Sequence, residues 1–137
     1  MRLLVVGAGG VGSSIVSIAA RRDVFEQIVV ADVDAGRANR AAARTGSPRV
    51  IGTRVDASDR IDLVELARTS QADVFVNACD PRFNPPIFDA AFEAGCHYLD
   101  MAAHMSSPHP THPYEKCGVM LADAQFAVAD KWEDRGQ

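Results

Sequence analysis

The stretch Val5–Gly12 (VVGAGGVG) constrains the fold of this 137-residue chain more than any other. Four glycines, Gly7, Gly9, Gly10 and Gly12, stand directly behind a short apolar run rich in β-branched residues. Apolar residues at helical spacing, Val11, Ile15, Ile18 and Ala19, begin at once after the turn. That order predicts a strand, a tight turn and a helix in immediate succession. It matches G-x-G-x-x-G in the context the pattern requires. Gly7 permits the turn, Gly9 lets the backbone approach a pyrophosphate, and Gly12 allows close helix–strand packing. The N–H groups around Gly10 and Val11, together with the helix dipole, then face the phosphates. A glycine turn that holds no ligand is the competing reading. Against it stands Asp32, 20 residues after Gly12 and at the end of the next apolar run, where a dinucleotide site needs an acidic residue.

The rest of the chain continues the alternation. Strands are predicted at Arg2–Val6, Ile28–Ala31, Arg49–Val55, Ala72–Ala78 and His97–Leu99. Helices are predicted from Val11 to about Arg22, over Asp34–Arg44, over Asp59–Thr69, and from Pro85-Pro86 to Gly95. A last helix is predicted from about Gly118 to Asp134, with Leu121, Ala124, Val128 and Trp132 on one face. Ala103–Pro113, with three prolines, reads as a loop. Such a sequence implies an α/β fold, a Rossmann-type doubly wound and mostly parallel sheet with helices on both faces. One domain over residues 1–137 suits the length.

In such sheets, ligands bind beyond the C-terminal strand ends. Here those ends are Gly7, Asp32, Asp56, Asn77 and Asp100, each a glycine or a polar residue. Asp32 is expected to accept hydrogen bonds from the adenosine ribose and to repel a 2′-phosphate, which favours NAD over NADP. Arg37 and Arg40, close behind it, could instead accommodate that phosphate, so NADP stays open. Asp34 suits a helix cap. Asp56 is placed to reach the adenine or to cap a loop, and Asn77 and Ala78 fall where the nicotinamide half would pass. Cys79 is either a reactive thiol or a small apolar filler.

Composition narrows the functional classes. A formal charge of −4 and a pI near 5.5 argue against nucleic-acid or anionic-membrane partners. No apolar run approaches the roughly 20 residues needed to span a bilayer. Glycines interrupt the N-terminal apolar run, and Arg21-Arg22 occupies the place of a cleavage site, so a buried strand is expected there rather than a signal peptide. Three cysteines without a CxxC pair suggest reduced thiols and a cytoplasmic location. His104, His109 and His112 lack the register of a zinc site, and no metal is expected.

Asn77–Ala102 (NACDPRFNPPIFDAAFEAGCHYLDMA) is more specific. A strand ending Asn-Ala, a proline-containing loop and a helix ending AGxHYxD resemble the cofactor domain of the saccharopine dehydrogenase family, in its saccharopine reductase and lysine 6-dehydrogenase branch. The resemblance covers nearly the whole chain. It implies an NAD(P)-dependent oxidoreductase that transfers hydride at a carbon–nitrogen bond of an amino acid, by way of an imine. Asp100 matches the aspartate of HYxD, and orients substrate or relays a proton on that reading, or binds loop N–H groups instead. Asp80-Pro81-Arg82 puts charge where the family is often more apolar, which leaves the substrate class open. Members are considerably longer, so the chain is expected to be the cofactor half of an enzyme that dimerises through a further domain and is inactive alone. The alternative is an NAD-sensing module of the potassium-uptake regulator type, which length favours and the AGCHYLD stretch opposes.

Overall fold

The computed structural model describes residues 1–101, 106–120 and 122–137. Its first strand β1 (Arg2–Val6) is the axis of a five-stranded sheet whose pairings are all parallel. The others are β2 (Gln27–Asp32), β3 (Val50–Arg54), β4 (Val74–Asn77) and β5 (His97–Asp100), in the order β3-β2-β1-β4-β5. The order reverses at β1, so the switch point lies between β1 and β4, directly above the glycine turn.

Strand periodicity divides the core in two. Leu3, Val5, Ile28 and Val30 point to one face, under helices α1 (Gly10–Ala19) and α2 (Ala35–Arg44). Leu4, Val6, Val29 and Phe75 point to the other, under α3 (Arg60–Thr69) and α4 (Asn84–Ala94). Runs such as RLLVV and QIVVAD are apolar throughout because both faces are covered. Side-chain caps fix the starts of α2 and α3: Asp34 accepts from the Arg37 N–H, and Asp59 from those of Ile61 and Asp62.

Two expectations need correction. Helix α1 ends at Ala19 rather than near Arg22, and its buried face is Gly12, Val16 and Ala19. Val11 and Ile18 are 54% and 58% exposed. The contact of Gly12 with the glycine turn sets the rotation of this helix, and the largest apolar residues do not.

The C-terminal segment is not one helix. It holds two short helices, α5 (Asp123–Phe126) and α6 (Ala129–Glu133), separated at Ala127 and Val128. Trp132 is the buried anchor of this segment, packed against Phe88, Phe92 and Tyr98 with ring centroids 4.6, 5.2 and 6.3 Å away. Val128 is half-buried beside it and Ala124 is exposed, while Leu121 lies outside the described residues. With Ala124 exposed and Val128 only half-buried, the stripe buries too little area to enforce a continuous helix. Among the described residues no helix is long and apolar enough to cross a membrane.

Candidate functional site

At the C-terminal edge of the sheet, Gly7 leaves β1 with φ +101°, a conformation that L side chains rarely adopt. A Cβ there would also stand 2.8 Å from the Ala78 carbonyl oxygen. Gly12 lies in the first turn of α1 so close to the strand that a Cβ would come 1.7 Å from the Gly7 carbonyl oxygen. These two glycines are demanded by the protein itself. Gly9 and Gly10 differ: nothing lies within 4 Å of a Cβ at either position. Their missing side chains leave open space in front of the first N–H groups of α1, which have no intrahelical partner. A pyrophosphate fits that space and that donor set.

Asp32 ends β2 at 6% exposure. Its Oδ2 accepts the Ala8 N–H at 2.8 Å and its Oδ1 the Asp34 N–H at 2.9 Å. One carboxylate therefore ties the glycine turn to the start of α2. The Arg37 guanidinium stands 3.4 Å from Oδ1 and 3.5 Å from Oδ2. Asp34 itself pairs with Arg40 at 3.7 Å. The hydrogen bond from the Arg37 N–H, more than any other cause, holds the Asp34 carboxyl below the usual range.

Gly7, Gly9, Asp32, Asp56 and Ala78 converge on one groove of about 310 Å³, together with Val33, Arg37, Cys79, Asp80 and Phe83. Asp56 lies two residues beyond β3, and its Oδ1 accepts both the Ser58 hydroxyl (2.6 Å) and the Ser58 N–H (2.9 Å). Those bonds, the hydroxyl's first, hold its carboxyl low. It is a turn residue that also walls the groove. Gly10 faces an adjoining recess with Ser13, Ser14 and Arg44, and Val11 lines neither.

The other side of the switch point differs from the sequence expectation. Asn77 does not open into the groove; it is 1% exposed. Its Nδ2 donates to Asn84 Oδ1 (2.8 Å) and to the Tyr98 hydroxyl (3.1 Å), and its Oδ1 accepts the Cys79 N–H (2.9 Å). The side chain holds the β4 exit in shape from behind, and the Asn77 carbonyl accepts the Met101 N–H at 3.1 Å. Cys79 donates to the Val6 carbonyl, and burial first, then the charges of Asp32 and Asp80, pushes its thiol up to about 11. A protonated thiol is a poor nucleophile. Cys79 is a groove wall.

Asp100, at the end of β5, lies outside the groove. Its Oδ2 accepts the Gln125 amide at 2.8 Å and it also bonds the Tyr98 hydroxyl, whose pKa is raised above all by burial. His109 Nδ1 accepts the N–H groups of Thr111 and His112, a loop role, and His104 lies outside the described residues. Phe83 and Gly36 had no signal in the glycine pattern. Phe83 enters through the 3₁₀ turn Pro81–Phe83, and a Cβ at Gly36 would stand 3.0 Å from both Asp34 Oδ1 and Arg40 Nη1.

Comparison with known proteins gives the family and the fold. Residues 3–137 match the family model of the saccharopine dehydrogenase NADP binding domain. A carboxyaminopropylagmatine dehydrogenase of Synechocystis sp. is 33% identical over 135 residues, which cover 98% of this chain and 32% of that protein. Saccharopine dehydrogenase (L-Glu forming) from Saccharomyces cerevisiae superposes with a TM-score of 0.63 at 21% identity, over 80% of this chain and 22% of that one. UDP-glucose-4-epimerase from Stenotrophomonas maltophila, with bound NAD, gives 0.59 at 19% identity, over 100% of this chain and 50% of that one. Both structural likenesses speak to the fold alone. The chain spans about a third of the length of the curated relative.

Proposed function

The chain belongs to the saccharopine dehydrogenase family through its NADP-binding domain, and from that premise we propose that it serves hydride transfer between NAD(P) and a carbon–nitrogen bond of an amino-acid substrate. The carrying observation is the open space over Gly9 and Gly10, at the head of α1 and at the switch point of the sheet. No packing within the protein explains those two glycines, and a pyrophosphate does. The bound nicotinamide would supply the hydride chemistry. The chain's own residues bind and orient: the α1 amides hold phosphate, Asp32 and Arg37 meet the adenosine ribose, and Ala78 and Cys79 keep the wall beside β4 thin.

An amine-bearing substrate is supported by the relative named carboxyaminopropylagmatine dehydrogenase, and a saccharopine- or lysine-type amino acid remains the class. Asp100, bonded to Gln125 and Tyr98, acts as an anchor for α5 rather than as a proton relay. The chain covers 32% of that relative's length, and a homodimer is the assembly this reading expects of the whole enzyme. Three free thiols, Cys79, Cys96 and Cys117, suit a reducing compartment such as the cytoplasm.

Calorimetric titration with NADH and NADPH tests the reading. Binding of at least one is expected, without turnover of lysine or saccharopine by the 137 residues alone. No binding of either cofactor at millimolar concentration would sink it.

A further inference from the structure

A second cavity, of about 310 Å³, opens at the same edge of the sheet, between the first half of α4 and the C-terminal segment. It shares no lining residue with the cofactor groove. The two meet at the start of α4, where Phe83 lines the groove and Asn84 this cavity. Its walls are held independently of each other. Asn84, 4% exposed, accepts the Asn77 amide at 2.8 Å, and Gln125 donates to Asp100 at 2.8 Å. Ser107 and Val119 secure the third side through two backbone hydrogen bonds of 2.9 Å.

The lining is apolar over Pro85, Phe88, Val119, Met120 and Val128. Its charged members are Asp89 and Asp123, and among the described residues no lysine, arginine or histidine joins them. Asp123 Oδ2 accepts the Met120 N–H at 3.1 Å, which leaves Oδ1. Gln125, with its amide nitrogen turned to Asp100, leaves Oε1 to accept. A helix N-terminus ordinarily favours an anion. Here Pro85 and Pro86 take two N–H groups out of the first turn of α4, so acceptors outnumber donors.

We propose that this cavity is a second binding site, for a small organic cation: an alkylammonium or alkylguanidinium whose stem lies on Phe88 and Val128 while its head meets Asp89 and Asp123. An anion would face two carboxylates. A neutral apolar ligand would cover those carboxylates without pairing them, at the cost of their desolvation. A cation on a short apolar stem answers both parts of the lining. The volume stands at the small end of ligand cavities, which suits such a molecule.

The test titrates n-butylguanidinium, n-pentylammonium and pentanol onto the folded chain, followed by NMR. The two cations should bind at one site, with the largest shifts at Phe88, Val119 and Val128, and about tenfold more tightly than pentanol. Asp89→Asn and Asp123→Asn should each weaken both cations about threefold, and together about tenfold, with pentanol unchanged. Both replacements keep the side-chain shape, and asparagine at 123 keeps an acceptor for the Met120 N–H. Asp23→Asn, in the exposed turn before β2 at the other edge of the sheet, should change nothing. Added salt should weaken the cations and leave pentanol alone. Absence of cation binding, equal binding of cations and pentanol, cation affinity untouched by the paired variant, or shifts confined to the cofactor groove would each overturn the proposal. The titration contains no NADH or NADPH, so its result bears on this cavity alone.

Discussion

The carbonyl oxygen of Gly7 lies 1.7 Å from where a Cβ on Gly12 would stand, so the strand exit and the first turn of α1 occupy one space. Between them in the same loop, a Cβ on Gly9 would have nothing within 4 Å. Glycines that one motif treats alike thus answer to different causes, packing in one case and ligand in the other. Gly12→Ala should destabilise the chain by at least about 2 kcal/mol, as overpacking does. Gly9→Ala, at an extended backbone position, should cost at most about 1 kcal/mol and still weaken NADPH and NADH together. Urea unfolding beside calorimetry separates the two. Equal stability losses would refute the division.

Asn77 makes a different demand. Its amide serves Asn84, Tyr98 and the Cys79 N–H inside the protein. Asn77→Ala removes these three buried hydrogen bonds and should cost about 1–3 kcal/mol, with Tyr98→Phe costing less because it loses only the hydroxyl's bonds to Asn77 and Asp100. Denaturation midpoints check the order. A fully stable Asn77→Ala with impaired cofactor binding would instead put the side chain in contact with ligand.

Cys79 should be inert to thiol reagents at pH 8 while exposed Cys117 reacts fast. Folding raises the Cys79 pKa from 9.0 to about 11, so the folded state holds that proton more tightly than the unfolded chain. Its contribution to stability is full below pH 9 and declines as the pH rises toward 11. Cys79→Ala should flatten that decline, measured by urea unfolding from pH 8 to pH 11. An unchanged slope would assign the decline to other groups, such as Cys96 and Tyr98, whose pKa values are also raised.

Asp100 holds Gln125, and through it α5, against β5. Asp100→Ala should speed amide exchange across Asp123–Glu133 and leave NADPH affinity within about twofold, as expected of a group outside the groove. Loss of cofactor binding with unchanged exchange would return Asp100 to the site.

Local pattern was enough to announce the alternating elements, the glycine turn and the place of Asp32, because strand and helix periods and turn chemistry act over a few residues. Position along each strand likewise brought Gly7, Asp32 and Asp56 to one edge, since a parallel sheet aligns its C-terminal ends. Which way a side chain faces was settled only by packing. Gly12 turned α1 so that Val11 and Ile18 met solvent, and the Asn84–Tyr98 pair drew Asn77 inward. Trp132 is buried while Ala124 is exposed, and the last segment forms two short helices rather than one. The pairing of Arg37 with Asp32 has the same origin. Five residues apart in sequence, they meet only because α2 begins where β2 ends, and that meeting turns an acidic strand end into a neutral one.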